Sequence, residues 1–301
     1  MFNRILKKNY LLFILLFLFV FQGCKTTRSL ARESLEPNAP EEAHVIVAHD
    51  VVFSDDIEEN YKYIFFRLYN PAYSNPFYIA NLLKNGLKLT KTEEVPDLSH
   101  ASINFTLDDN FYGLTLGGEH QFAEEECIVP KNNKYMKHCD PEKSEQITYA
   151  LKVTEEEYEK TKNFVDYYIN STDIKYASSL NIKLAIFSLR RKFFTTKSHK
   201  QFGTINYPRG SNNKKVDIED ENNLPTNFVC STFLGYILYN NVESVTDYFD
   251  ENNIKYEYMN VTDISLIPGM TPLFYSTWDN YIEAAKEFVQ EYPEFAEYLT
   301  Q

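Results

Sequence analysis

Two residues far apart in the chain carry side chains that could work together. They are His100, in Ser99-His100-Ala101-Ser102-Ile103, and Cys230, in Asn227-Phe228-Val229-Cys230-Ser231-Thr232-Phe233. The histidine starts an alternating, strand-like run. The cysteine opens an apolar stretch with helical spacing that continues through Leu234, Ile237 and Leu238. A thiol at a helix N-terminus feels the positive end of the macrodipole, which favours the thiolate. An imidazole on a neighbouring strand could take its proton and stabilise the charged pair, as cysteine-dependent acyl transfer requires. Taken alone, a cysteine near a helix start is more often just a small buried hydrophobe.

Several elements must bring the two together. The β-branched run 45–53 predicts a strand, and 71–84 a loop leading into a short helix. Residues 101–107 alternate, with Ile103, Phe105 and Leu107 on one face. Asp108-Asp109-Asn110 is a turn signal, and 111–116 reads as the second strand of a hairpin that Gly117-Gly118 ends. A strand over 147–153 leads to a helix capped by Thr154, with Glu157 completing a capping box and Tyr158, Phe164, Val165, Tyr168 and Ile169 along one face. A second helical stretch is expected within 174–194. Residues 195–225, rich in Asn, Lys and Asp, read as a long surface loop before the thiol, either a lid or an insertion. The C-terminal segment 278–299 reads as a helix pair interrupted at Pro293. Strands gathered between helices, without regular strand–helix alternation, predict an α+β fold.

Composition narrows the function. The formal charge is −13 over 301 residues, and such a surface repels nucleic acid phosphates. Arg190-Arg191-Lys192 is a local exception, equally well read as a solvated helix face. There is no glycine-rich phosphate loop, Gly-x-Ser-x-Gly elbow, His-Glu-x-x-His or Cys-x-x-Cys, so no cofactor is expected. His44 and His49 read as structural. The 23 Tyr and 23 Phe fit a core and an apolar groove.

The N-terminal segment has the layout of an export signal: Arg4, Lys7 and Lys8 precede an apolar run over 11–21 that is short for a membrane span. Gly23-Cys24 follows at once and resembles a bacterial lipobox, in which Cys24 is lipidated. The expected organisation is a signal peptide over 1–23, a polar tether over 24–42 and a domain over 43–301, held to a bacterial membrane and facing the periplasm or exterior. An ordinary secretory signal or an uncleaved anchor would leave Cys24 without that role. Cys127 and Cys139 flank a short polar loop and are natural disulfide partners in an oxidising compartment, which would leave Cys230 as the odd thiol. The alternative is that both are reduced.

The order of His before Cys, with Ser-His-Ala-Ser-Ile and Phe-Val-Cys-Ser-Thr-Phe-Leu-Gly-Tyr-Ile-Leu, resembles the circularly permuted NlpC-like branch of the papain-like superfamily. The segment Tyr149 to Lys160 is similar to that family's strand-then-helix unit, and Val261-Thr262-Asp263-Ile264 and Leu273-Phe274-Tyr275 are similar to its closing part. The likeness runs from about Val45 to about Tyr275. It implies a small antiparallel sheet packed against helices. It also implies a cysteine hydrolase or acyltransferase, with Cys230 as nucleophile and His100 as base, acting on cell-wall peptide amides or acyl groups in lipids. Relatives often place a Glu on the strand after the His strand; by register that position falls near Gly113, which has no side chain. Thr115, on the same strand face, and Glu119, beyond the glycine turn, are the candidates to orient His100. The rival reading is a surface lipoprotein that keeps the fold as a binding module.

Overall fold

A computed structural model describes residues 45–46, 61–70, 98, 100–114, 121–125, 141, 144–171, 173–177, 180, 184, 187, 213–218 and 224–299. The strands are β1 (Val45–Ile46), β2 (Tyr61–Asn70), β3 (His100–Asn104), β4 (Tyr112–Leu114), β5 (Phe122–Glu124), β6 (Glu145–Thr154), β7 (Lys175–Tyr176), β8 (Asn227–Phe228) and β9 (Met270–Thr277). The helices are α1 (Glu155–Ile169), α2 (Cys230–Asn241), α3 (Glu243–Glu251), α4 (Val261–Ile264) and α5 (Tyr281–Glu291), with 3-10 turns at Tyr256–Tyr258 and Pro293–Tyr298. Seven strands form one antiparallel sheet in the order β1-β9-β6-β2-β3-β4-β5, and β7 and β8 form a separate parallel pair. The described fold is therefore mixed helix and antiparallel sheet, of the α+β class.

The sheet separates two cores. Ile64, Phe66 and Leu68 of β2, with Ile103, Ile147, Tyr149 and Leu151, belong to a core shared with α1 and α2. Phe65, Ala150, Leu273 and Phe274 belong to a second core with Ala284, Ala285 and Phe288 of α5 and with Phe295 and Tyr298. Strand β2 is apolar on both sides because it lies inside the sheet with helices over each face. The C-terminal segment is thus an integral layer. Pro293 starts its 3-10 turn, where a missing N–H costs nothing.

Sequence expectations and structure differ at several places. Strand β3 ends at Asn104, and Leu107 joins the core opposite to that of Ile103 and Phe105. The physical reason is Asn104: its Oδ1 accepts from the Phe105 N–H at 2.8 Å and its Nδ2 donates to Asp108 Oδ1 at 2.8 Å, local bonds that compete with the ladder. The segment 174–194, expected to contain a helical stretch, opens with the short strand β7, and Leu180, Leu184 and Phe187 beyond it are helical. Within the expected surface loop, residues 213–218 dock on the domain: the Val216 N–H donates to Asn240 Oδ1 at 2.8 Å, and Asn213 Nδ2 donates to Ile254 O at 2.6 Å. The capping box is present as read. Thr154 Oγ1 accepts from the Glu157 N–H, and Glu157 Oε2 accepts from the Thr154 N–H. Cys24, His44, His49, Cys127, Cys139, the helix expected within 71–84 and the 190–192 cluster lie outside the described residues.

Candidate functional site

Helix α2 starts at Cys230, and its start is held from several directions. The residues before it form β8, which pairs with β7; the Lys175 N–H donates to Thr226 O at 2.6 Å and the Ala177 N–H to Phe228 O at 2.7 Å. The Tyr176 N–H donates to Gln121 Oε1, tying this pair to the residue that precedes β5. Thr232 Oγ1 accepts from the Val229 N–H at 3.0 Å and donates back to Val229 O at 3.1 Å. Ser231 Oγ donates to Met259 O at 2.7 Å. The Val229 backbone is thus held by the Thr232 hydroxyl and the Ser231 side chain by the Met259 carbonyl, which anchors the chain on both sides of Cys230. Thr232 is turned back on Val229 in this way, and the N-cap residue, Val229, makes no side-chain cap bond of its own. Cys230, as the first residue of α2, sits at the positive end of the helix dipole.

Gly235 lets the helix sit where it does. A Cβ there would meet Met259 Sδ at 2.7 Å and Tyr256 Cβ at 3.0 Å, so only glycine permits the close crossing of the Tyr256–Tyr258 turn. On its other side α2 packs on the sheet through Phe233, whose ring meets Phe122 of β5 edge-on at 4.7 Å.

His100 is the first residue of β3, and its side chain bonds to Cys230. Its Nε2 donates to Glu125 Oε1 at 2.5 Å. With Nε2 so engaged, Nδ1 is the ring nitrogen not taken by the carboxylate. Cys230 and His100 are 5% and 9% exposed, so the pair works in a low-dielectric setting. The Tyr69 ring, opposite His100 in the β2–β3 pairing, packs edge-on against the imidazole at 5.0 Å.

Glu125 follows β5, and the register explains why it reaches His100. Directly opposed residues of an antiparallel pair share a face. Gly113 opposes Ser102 on one side and Ala123 on the other. The Glu125 N–H donates to Phe111 O at 2.8 Å, carrying the same alternation one step beyond β5. His100, Ser102, Gly113 and Glu125 therefore all lie on one face, with Arg67 opposite Ser102. A Cβ on Gly113 would fall 1.9 Å from Glu125 Oε1, so the carboxylate fills the space that a side chain at 113 would take. The carboxylate reaches His100 from one strand further out than the position inferred from the family likeness.

The charges are mutually supporting. Burial by itself would lower the His100 pKa, but the negative charges of Glu125 and Cys230, with a hydrogen bond to each, outweigh it and raise the imidazole above its ordinary range. Burial by itself would raise Glu125; the charge and hydrogen bond of His100, the Arg67 guanidinium and a bond from Ser102 outweigh it and hold the carboxyl below the usual range. The proton therefore rests on the imidazole. By reciprocity, a Cys230 charge that favours imidazolium is itself favoured by it.

The structure brings Cys230 and His100 together. Thr115 and Glu119 lie outside the described residues, and the carboxylate on His100 is Glu125. Sequence reasoning missed it because it sits in Glu124-Glu125-Glu126, which reads as a solvated acidic run; the signal was the alternation Phe122, Glu124 against Ala123, Glu125. Arg67 was missed with all of β2, although an arginine inside Tyr63-Ile64-Phe65-Phe66-Arg67-Leu68-Tyr69 is the kind of residue that needs a buried partner. Among the described residues no cluster of His, Cys, Asp or Glu could hold a metal ion, and no helix is long and apolar enough to cross a membrane. Compared with family models, curated proteins and solved structures, the chain matches none.

Proposed function

We propose that this chain is a cysteine hydrolase or acyltransferase of the permuted papain-like plan that its motifs resemble. One observation carries the reading: a single imidazole bonds both to a thiol at a helix N-terminus and to a buried carboxylate. In this reading Cys230 Sγ attacks the carbonyl carbon of an amide or ester, and the oxyanion that forms accepts hydrogen bonds from first-turn N–H groups of α2. His100, already protonated, gives its proton to the leaving amine or alkoxide, and a thioester remains on Cys230. Water, deprotonated by His100, then releases the acid; an acceptor amine or alcohol in its place gives acyl transfer. Glu125 keeps the ring oriented and charged throughout.

The substrates we propose are cell-wall peptide amides or acyl groups of lipids, reached by a protein tethered to the envelope through lipidated Cys24. The test is turnover of purified muropeptides and of acyl phospholipids by the wild type and by Cys230→Ala, with the thioester sought as a mass adduct on the Cys230 peptide. Turnover that survives Cys230→Ala overturns the reading. A binding module is the second reading, favoured by the near-complete burial of the thiol. It expects ligand affinity without turnover, and affinity unchanged in Cys230→Ala.

A further inference from the structure

Arg67 is the largest fully buried side chain of the described residues, and it lies in the middle of the central strand β2. Its guanidinium carbon sits 3.8 Å from the Trp278 ring centre and 4.5 Å from that of Phe111, with Tyr69 and Tyr281 at 5.7 and 5.9 Å. Two of its nitrogens have oxygen partners: Nη1 donates to Asp109 O at 3.4 Å and Nη2 to Glu125 Oε2 at 3.5 Å. These distances are at the long limit of hydrogen bonding, so Arg67 acts on Glu125 chiefly as a charge. In a site this dry, a charge at that distance has a large effect. The rings hold the cation without competing for it, because aromatic faces attract a guanidinium yet accept no proton.

In the reactive-pair reading the arrangement is a chain of alternating charge: guanidinium, carboxylate, imidazolium, thiolate. Without Arg67, Glu125 and His100 could neutralise one another by passing the proton to the carboxylate, and a neutral imidazole would no longer stabilise the thiolate. We propose that Arg67 is a positioning residue for the site: caged by Trp278 and Phe111, it holds Glu125 ionised and turned toward His100, and so sets the charge state of the Cys230–His100 pair. The proposal rests on the reading of Cys230 and His100 as a reactive pair. It adds a residue that touches neither the thiol nor any reacting atom.

The test is the pH profile of iodoacetamide alkylation at Cys230, read on its peptide by mass, in the full chain. Arg67→Met is expected to move the inflection upward by about one unit, the size expected when an opposite charge is lost from a partly dry site. Arg67→Lys restores most of the shift. Arg67→Met added to Glu125→Gln moves the profile no further, because the carboxylate through which Arg67 acts is already gone. Where Arg67→Met does not fold, Trp278→Leu, which opens the cage from its half-buried side, is expected to give a smaller shift in the same direction. An Arg67→Met or Trp278→Leu profile superimposed on the wild type overturns the proposal, as does a shift equally large in the Glu125→Gln background. A wild-type inflection at the ordinary thiol value of about 8.5, unmoved by His100→Ala, would instead overturn the reactive-pair reading itself.

Discussion

Gly113 and Glu125 occupy one space between them. The glycine supplies no side chain, and the Glu125 carboxylate, arriving from beyond β5, lies where a Cβ at 113 would be, with Oε1 at 1.9 Å, Cδ at 2.3 Å and Cγ at 2.9 Å from that point. The smallest possible residue on β4 is therefore what lets an acid from the edge of the sheet reach the histidine on β3.

Gly113→Ala should leave the domain folded, since the group displaced is the far end of a side chain, but should push the carboxylate off His100. Cys230 reactivity near neutral pH is expected to fall about tenfold or more, in line with the weight of a small misplacement in a catalytic group. Gly113→Glu combined with Glu125→Gly, which returns an acid to the same space from the inner strand, should recover part of that loss relative to Glu125→Gly alone. Alkylation rates at Cys230 decide both.

Glu125→Gln keeps the shape but removes the charge that holds the proton on His100. Turnover is expected to drop about 10³- to 10⁴-fold, the scale seen when the acid that orients a catalytic histidine is made neutral. A loss of less than tenfold would mean that the carboxylate is only structural.

Stability should depend on pH through both buried partners, with opposite signs. His100 is raised, so its contribution is complete below the ordinary imidazole pKa of about 6.5 and is lost as pH climbs through the raised value. Glu125 is lowered, so its contribution is complete above the ordinary carboxylate value of about 4.3 and is lost as pH falls through the lowered one. Urea midpoints of the wild type and His100→Gln should therefore converge toward alkaline pH. A gap between them that is constant with pH would argue against the ion pair.

Glu157 caps two helices with one carboxylate. Oε2 closes the box on the Thr154 N–H at 3.0 Å, and Oε1 accepts from the Glu243 N–H at the start of α3 at 2.7 Å. Glu157→Ala is expected to cost about 1–2 kcal/mol, the loss typical of a helix cap, and to lower Tm by several degrees without changing Cys230 reactivity. An unchanged Tm would show that water replaces both bonds at no cost.

What could be read in the sequence was what local chemistry sets. The Thr154 and Glu157 box, the hairpin through Asp108-Asp109-Asn110, the helix beginning at Cys230 and the strand beginning at His100 all follow from contacts within a few residues, and the α+β class follows from their order. The tertiary structure decided everything that depends on strand register. Which acid meets His100 is set by β4 opposing both Ser102 and Ala123, and nothing local in Glu124-Glu125-Glu126 singles out the middle residue. Arg67 likewise became part of the site only when β2 was placed beside β3 and Trp278 was folded over it. Local propensity acts over a turn of chain, whereas a buried charge is stabilised by partners that only the assembled sheet brings within reach.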